Sequence, residues 1–489
     1  MRTLPALLCC LSVLWSRAQS PPPIQWEVCH GGNLADIQND LIQLEDGGLV
    51  AVSSSISMNL PGGHGGEEIW VIKLDTAGTL LWQECVGGSL EDEGWALAAT
   101  PDGGFLLAAY SSSVDGDLAG CGPNTTLRLL KLDANGTIQW HTCGPTGYQP
   151  FAMCLAADGG CVTAGRTAGA GDLSLVKFDA AGTQQWAQTY GGTNNDLAYD
   201  VLRTDDGGYM AAGQTMSNDG DVSGHHGGLD MWVVKVDSLG TLQWQRCLGG
   251  TGSDVARSMA RSAAGDVLVL GGTNSSDGDV TGLLNGASAW AVMLDPNGGV
   301  LWQQCYGPDT VASGQRVIAT DNGFVCVATT TPSATPLWFF AIGPGGALQW
   351  NDFMSLGTVC RGLCATTDGG FAWASNEGST GNLCPGFTTD VVVAKVDRAF
   401  DPTATGVGEH SSEELRLNLC DGWLTVIAPP ERRWKEVVIS DVKGGTVLVD
   451  RWAGAQRSLD IRHLATGAYT LALYADDEAA RARFVVMRP

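Results

Sequence analysis

Three loops repeat the triplet Asp-Gly-Asp: Asp115-Gly116-Asp117, Asp219-Gly220-Asp221 and Asp277-Gly278-Asp279. Alternate carboxylates on a glycine-bent loop suit a hard divalent cation, because calcium gathers several carboxylate and carbonyl oxygens. Asp219, Asp221, Asp277 and Asp279 are therefore the candidate metal ligands, and Ca2+ is the one cofactor these residues suggest. The competing reading is an Asx-type turn, in which each carboxylate accepts from nearby backbone N–H groups. No catalytic residue and no organic cofactor is expected. The chain has no His-Glu-x-x-His, no Gly-x-Ser-x-Gly elbow and no phosphate loop. Its seven histidines are scattered, and His225-His226 adjoins a Gly-rich loop without a third ligand at metal spacing.

The tryptophans invite a sugar-platform reading, but 11 of the 17 occupy repeat-equivalent positions. Large rings recurring in register are expected to pack between structural units, each burying roughly 150–250 Å². Trp95 and Trp373 fall outside those positions and are the better ligand candidates. All five lysines between residues 19 and 410 begin a Lys-x-Asp triplet. A reactive lysine is needed once, so five in register are expected to be structural, each ammonium paired to a carboxylate. Five cysteines share the motif Trp-x-x-Cys (Cys29, Cys85, Cys143, Cys247, Cys305) and read as small buried hydrophobes rather than a disulfide framework. Cys154 and Cys161 flank a turn and can face each other across a hairpin.

These residues need a scaffold, and the repeat supplies it. Between residues 24 and 397 one pattern recurs. An Asp-Gly-Gly turn leads to a strand ending in Gly or Ala and then a polar loop. A strand ending in Lys-x-Asp, a Gly turn and a Trp follow. The Lys-x-Asp strands start at Lys73, Lys131, Lys177, Lys235, Met293, Ala341 and Lys395, the fifth and sixth degenerate; in the first six the Trp follows nine residues later. A constant nine with varying residues between them marks a tight hairpin in fixed register. Repeat lengths differ through one loop, between the second and third strands. In the fourth repeat the strands read as 198–203, 209–214, 231–236 and 241–246, with apolar residues on both faces of the third. Seven such four-stranded units predict an all-β, seven-bladed propeller over residues 19–398.

The last repeat lacks its tryptophan, while Trp26 near the start has no strand before it. Pairing residues 22–29 with the strand at 391–396 would close the ring and remove a free sheet edge. The run Gly191-Gly192-x-x-x-Asp196-x-Ala198-x-Asp200, then Asp206-Gly207-Gly208-Tyr209-x-x-x-Gly213-x-Thr215, resembles the SBBP-type bacterial β-propeller repeat. The hairpin Leu74-Asp75-x-x-Gly78-x-x-x-Trp82 also resembles quinoprotein-type repeats. Both resemblances imply a fold and little about activity. A quinoprotein enzyme would normally carry eight blades and an adjacent cysteine pair by its cofactor, and neither is expected after residue 18.

Residues 1–18 read as a secretory signal peptide: Arg2, an apolar run from Leu4 to Trp15, then Ser16-Arg17-Ala18. No later stretch approaches the roughly 20 apolar residues of a membrane helix. From 19 to 410 there are 14 Lys and Arg against 41 Asp and Glu, a net charge of −27, whereas 411–489 is neutral with 11 of each. A field of that sign repels phosphate backbones, so nucleic acid is not expected as a partner. A polar linker at 399–411 separates the propeller from a small β-domain at 412–489. There Val438-Ile439-Ser440-Asp441-Val442-Lys443-Gly444, Leu459-Asp460-Ile461-x-x-Leu464-x-x-Gly467-x-Tyr469-x-Leu471 and Arg483-Phe484-Val485-Val486 resemble the type IX secretion sorting domain. That resemblance implies an Ig-like β-sandwich and the type IX secretion machinery as partner. It also implies passage through the periplasm to the outer-membrane surface or the medium, as in exported proteins of the Bacteroidota. The expected function is non-enzymatic binding or adhesion, with a glycan or protein ligand on the loop face. The alternative is a secreted hydrolase or quinoprotein-like enzyme whose active site the sequence does not reveal.

Overall fold

In blades one to five the aspartate at the end of the third strand builds the hairpin that follows it. Asp75 Oδ1 accepts the backbone N–H of Ala77 at 2.9 Å and of Thr79 at 2.8 Å. Asp133, Asp179, Asp237 and Asp295 do the same in later repeats. The carboxylate thus replaces the missing turn partners, which holds the loop length constant. The Gly that follows adopts φ near +80°, as at Gly78, Gly136 and Gly240. A Cβ there would also strike the hairpin tryptophan of the preceding blade: 2.7 Å from Trp26 at Gly78, 2.6 Å from Trp140 at Gly182. These two demands together leave only glycine.

The computed structural model describes residues 21–396 apart from 23, 123–125, 170, 309, 332–336, 356–357 and 378–388. It also describes Lys435 and the strands within 416–486. The leader at 1–18 and the linker at 399–411 lie outside the described residues. No α-helix occurs among the described residues, and no helix there is long and apolar enough to cross a membrane.

Up to Val396 the strands form seven antiparallel four-stranded sheets, so the first unit is a seven-bladed β-propeller. The fourth blade comprises Asp196–Arg203, Tyr209–Thr215, Asp230–Val236 and Leu242–Leu248, close to its expected bounds. Six blades use four consecutive strands. The seventh takes its outer strand from the start of the chain: Ile24–His30 pairs with Asp390–Val396. The inner strands are Asp36–Gln43, Asp92–Ala99, Tyr148–Leu155, Asp196–Arg203, Asp254–Arg261, Ala312–Thr320 and Val359–Ala365; each packs on the next, and the seventh packs on the first.

The core is divided among the gaps between blades. Seven apolar clusters each span two adjacent blades, the last joining blades seven and one through Trp26, Trp70, Ala372 and Val393. Hairpin tryptophans reach across these gaps: the indole N–H of Trp82 donates to the Ala134 carbonyl, and that of Trp186 to Ser238. Third-strand tryptophans are buried, Trp70, Trp232 and Trp290 each donating to a glutamine of the fourth strand. The packing expectation for these rings is met.

Two cysteine expectations need correction. Cys143 of the Trp-x-x-Cys set is bonded to Cys121 in its own blade's long loop, and Cys29 is also in a disulfide. Cys85, Cys247 and Cys305 remain buried thiols, as expected. Cys154 and Cys161 are not bonded. Cys154 pairs with Val162 and Leu155 with Cys161, so the two side chains point to opposite faces of the sheet.

Beyond 401 the chain forms a second, separate unit of strands. One sheet joins Arg416–Cys420, Trp423–Ile427 and Gln456–Asp460. The other orders Thr446–Arg451, Glu436–Asp441, Gly467–Tyr474 and Ala479–Val486.

Candidate binding site at the ring axis

Every inner strand carries a β-bulge at the same place. The register slips between Gln38 and Asp40, Gly94 and Ala96, Pro150 and Ala152, Ala198 and Asp200, Ala256 and Ser258, Gly314 and Arg316, and Cys360 and Gly362. A bulge leaves its extra residue unpaired and re-aims that side chain. The seven extra residues are Asn39, Trp95, Phe151, Tyr199, Arg257, Gln315 and Arg361. Six of them make contacts from blade to blade around the axis, while the Gln315 amide donates to Ser313 and Thr329 of its own blade. Arg361 of blade seven donates to Asn39 Oδ1 of blade one at 2.7 Å and lies 5.8 Å over the Trp95 ring of blade two. Two inner strands separated by a blade can make that contact only by pointing inward. Trp95 meets Phe151 edge-on at 5.1 Å, Phe151 meets Tyr199 at 5.7 Å, and Arg257 stacks 4.2 Å over Tyr199. Trp95, Phe151, Tyr199, Arg257, Gln315 and Arg361 are all partly exposed. An aromatic arc over three blades is thus bracketed by two guanidinium groups.

The residue after the bulge locks blades together. Asp40 Oδ2 accepts the Leu97 N–H of blade two at 2.8 Å, and Asp200 Oδ2 accepts the Met259 N–H of blade five at 2.6 Å. Each carboxylate also accepts its following N–H, from Leu41 and Val201. Arg316 donates to the backbone carbonyls of Arg361 and Arg257. Burial pushes the Asp40 carboxyl up to about 6 despite the opposing pull of Arg316. Burial also raises Asp200, again against Arg316. Arg361 is held below the usual guanidinium range, first by burial and then by the nearby charges of Arg316 and Arg257. Among the described residues none of Arg257, Arg316 and Arg361 enters a direct ion pair, whereas all five propeller lysines do.

The Asp-Gly-Asp loops lie elsewhere, clasping the Gly-Gly turns that enter their own blades. Asp219 Oδ1 accepts the Thr193 N–H at 2.8 Å, while Asp221 exchanges two hydrogen bonds with Gly191. Asp277 and Asp279 repeat this on Thr251 and Gly249, and Asp115 and Asp117 on Ser89 and Gly87. The second aspartate of two loops also faces a histidine of the preceding blade: Asp117 lies 3.6 Å from His64, and Asp279 lies 3.8 Å from His226. His226 in turn bonds Asp230 at 2.8 Å. Among the described residues no three His, Cys, Asp or Glu side chains converge as a metal ion would require.

Of the two tryptophans singled out from sequence, Trp95 sits on the axis. Trp373 does not: it is fully buried between blades six and seven against Phe339 and Phe371. The remaining axial residues escaped the sequence reading, although a signal exists. In blades one, two, four and five they stand three residues after the aspartate that opens the inner strand (Asp36, Asp92, Asp196, Asp254). In an otherwise uniform repeat that position holds Asn, Trp, Tyr or Arg.

No protein-family model matches the chain. One curated relative, the regulatory protein FlaEY of Caulobacter vibrioides, is 27% identical over 256 residues, which cover 46% of this chain and 27% of the relative. The chain therefore spans about a quarter of that protein's length. Among solved structures, PorZ of Porphyromonas gingivalis, a surface component of the type-IX secretion system, is 12% identical with a TM-score of 0.38. That match covers 91% of this chain and 59% of PorZ. The periplasmic gluconolactonase PpgL of Pseudomonas aeruginosa is 14% identical with a TM-score of 0.44, over 84% and 99% of the two chains. The quinohemoprotein alcohol dehydrogenase of Comamonas testosteroni is 11% identical with a TM-score of 0.42, over 80% and 79%. Likenesses this distant carry no argument about activity, and the seven blades rest on the strand order of this chain.

Proposed function

We propose that this chain is an exported, non-enzymatic binding protein whose propeller receives its ligand at the axial ring and the loops around it. The observation behind this reading is the partly exposed arc of Trp95, Phe151 and Tyr199 between two guanidinium groups that lack ion pairs. Binding needs only complementary groups held in place, and the bulges hold them. Export is supported by the leader-like residues 1–18, by the acidic surface, and by the Cys121–Cys143 bond, since disulfides persist in oxidising compartments. The order of β-strands after residue 416 suits an Ig-like sorting module read by the type IX secretion machinery, which would deliver the protein through the periplasm to the cell surface or medium. Glycan arrays probed with the purified, exported chain test the binding reading; saturable binding without turnover is the expected result. Truncation after Val407 tests the sorting reading: folded propeller should accumulate in the periplasm, and normal arrival at the surface would refute that assignment.

A second reading, a secreted hydrolase, has one observation in its favour. Asp40 carries a carboxyl pushed up to about 6 near a second buried carboxylate, Asp200, an arrangement that suits general acid chemistry. Against it, each of these aspartates already accepts two backbone N–H groups. Turnover of a polysaccharide or ester library, abolished by Asp40→Asn, would establish the enzyme.

A further inference from the structure

We propose that the axial ring binds a small cyclic carboxylate, its ring against the aromatic arc and its carboxylate between Arg257 and Arg361. The inference rests on the binding reading above and names the ligand class.

The charge distribution argues for an anion. The propeller region carries 41 acidic against 14 basic residues, and its five lysines are all paired with turn aspartates. Arg257, Arg316 and Arg361, from three consecutive blades, converge on the axis; Asp40 and Asp200 act on Arg316 and Glu93 on Arg361, but none of these carboxylates is in ion-pair contact. Like charges brought together in a partly buried site repel one another, and burial strips the water that would screen them. Arg316 spends its donors on backbone carbonyls and so serves as scaffold. Arg361 uses one N–H on Asn39, and Arg257 rests on the face of Tyr199. A guanidinium has five N–H donors in a planar fork, so both retain donors for an incoming carboxylate. The overall negative field acts over longer distances and is screened within about 8 Å at physiological salt, so contact with the arginines decides.

The aromatic arc argues for a ring. Trp95, Phe151 and Tyr199 are partly exposed, and the Trp95 indole is steadied by its N–H donating to Glu93 at 2.9 Å. A bare inorganic anion gains nothing from such a surface. A sugar acid presents C–H faces to it, and an aromatic acid stacks edge or face. The ligand must be small, because the side chains around it already touch one another.

Calorimetric titration of the full exported chain with glucuronate and with benzoate tests this, using glucose, benzyl alcohol and inorganic phosphate as comparisons. The expected result is that one or both carboxylates bind at least tenfold tighter than their neutral counterpart and than phosphate. The arm that responds distinguishes a sugar acid from an aromatic acid. Arg257→Gln, whose guanidinium touches the neighbouring blade only by stacking on Tyr199, should weaken binding roughly ten- to a hundredfold while lowering the melting temperature by only a few degrees. Trp95→Leu should weaken it several-fold and remove the ligand-induced change in tryptophan fluorescence. Equal affinity for glucose and glucuronate, phosphate binding as tightly as either carboxylate, no carboxylate binding at millimolar concentration, or indifference to Arg257→Gln would each overturn the proposal. Glycan binding that survives Arg257→Gln would overturn it while leaving the broader binding reading intact. Turnover of the ligand would remove the broader reading itself.

Discussion

Trp26 lies directly opposite Lys395 in the closing sheet, the same register that places Trp82 opposite Lys73 and Trp244 opposite Lys235. The two residues come from the ends of the propeller, yet they reproduce a pair that blades one to four each make locally. Blade seven is therefore complete only when the chain start is in place.

Ring closure should accordingly govern the stability of all seven blades. Trp26→Ala removes a half-buried ring and its hydrogen bond to Thr76, and should cost roughly 1–3 kcal/mol. Deleting residues 19–30 should lower the single calorimetric transition as a whole. A small early transition with the main one unmoved would show that the blades melt separately.

The Lys–Asp pairs make an asymmetric prediction. Lys235 is buried and bonded to Asp206, the Val236 carbonyl and Gln243, while Asp206 is half exposed. Asp206→Ala strands a buried ammonium and should cost about 3 kcal/mol, whereas Lys235→Met leaves only a solvated carboxylate and should cost less. Combining the two should recover much of the loss, because blade five already has Met293 and Ala264 at these positions. A denaturant double-mutant cycle measures the coupling.

Acid should release the same latches. Burial works against the ionised Asp206, but hydrogen bonds from Lys235, Thr204 and Gly208 outweigh it and bring the carboxyl to about 2. Thr100, then Lys131, do likewise for Asp102, also about 2. Folded values below the unfolded one mean that stability is present above about pH 4 and is lost as pH falls toward 2.

Asp40 has the opposite sign. Its folded value of about 6 lies above the ordinary aspartate value of about 4, so its contribution is present below about pH 4 and is lost as pH rises through 6. The loss amounts to about 3 kcal/mol. Asp40→Asn keeps an oxygen to accept the Leu97 N–H and should flatten that slope, leaving the variant more stable than the parent at pH 7. Urea midpoints between pH 4 and 7 decide it.

The Asp-Gly-Asp loops offer a separable test of calcium. Asp219→Ala with Asp221→Ala breaks the clasp on Thr193 and Gly191 and should cost about 1–2 kcal/mol even in EDTA. A rise in melting temperature on adding millimolar Ca2+ to the parent, absent from this variant, would place an ion at the loop. No rise in the parent would leave the clasp as the loop's whole role.

Local chemistry was readable in the chain itself. In blades one to five the nine-residue spacing follows from one aspartate serving its own turn, and the missing and surplus tryptophans announce the closure, because both features depend on short-range geometry repeated from blade to blade. Pairings set by register were not readable. Whether Cys154 meets Cys161 turns on a one-residue offset, and a single offset reverses the face of every side chain. The axial ring shows this most clearly. Tyr199, Arg257 and Arg361 sit in strands that look alternately buried, and only the bulge turns them inward; the three-residue step from Asp196 to Tyr199 and from Asp254 to Arg257 marks the position without revealing that turn. Their meeting then depends on closure of the ring, which brings Arg361 of the last blade over Trp95 of the second. Sequence determined the blade because a blade is made of neighbours; tertiary structure decided the site because its residues are neighbours only across the axis.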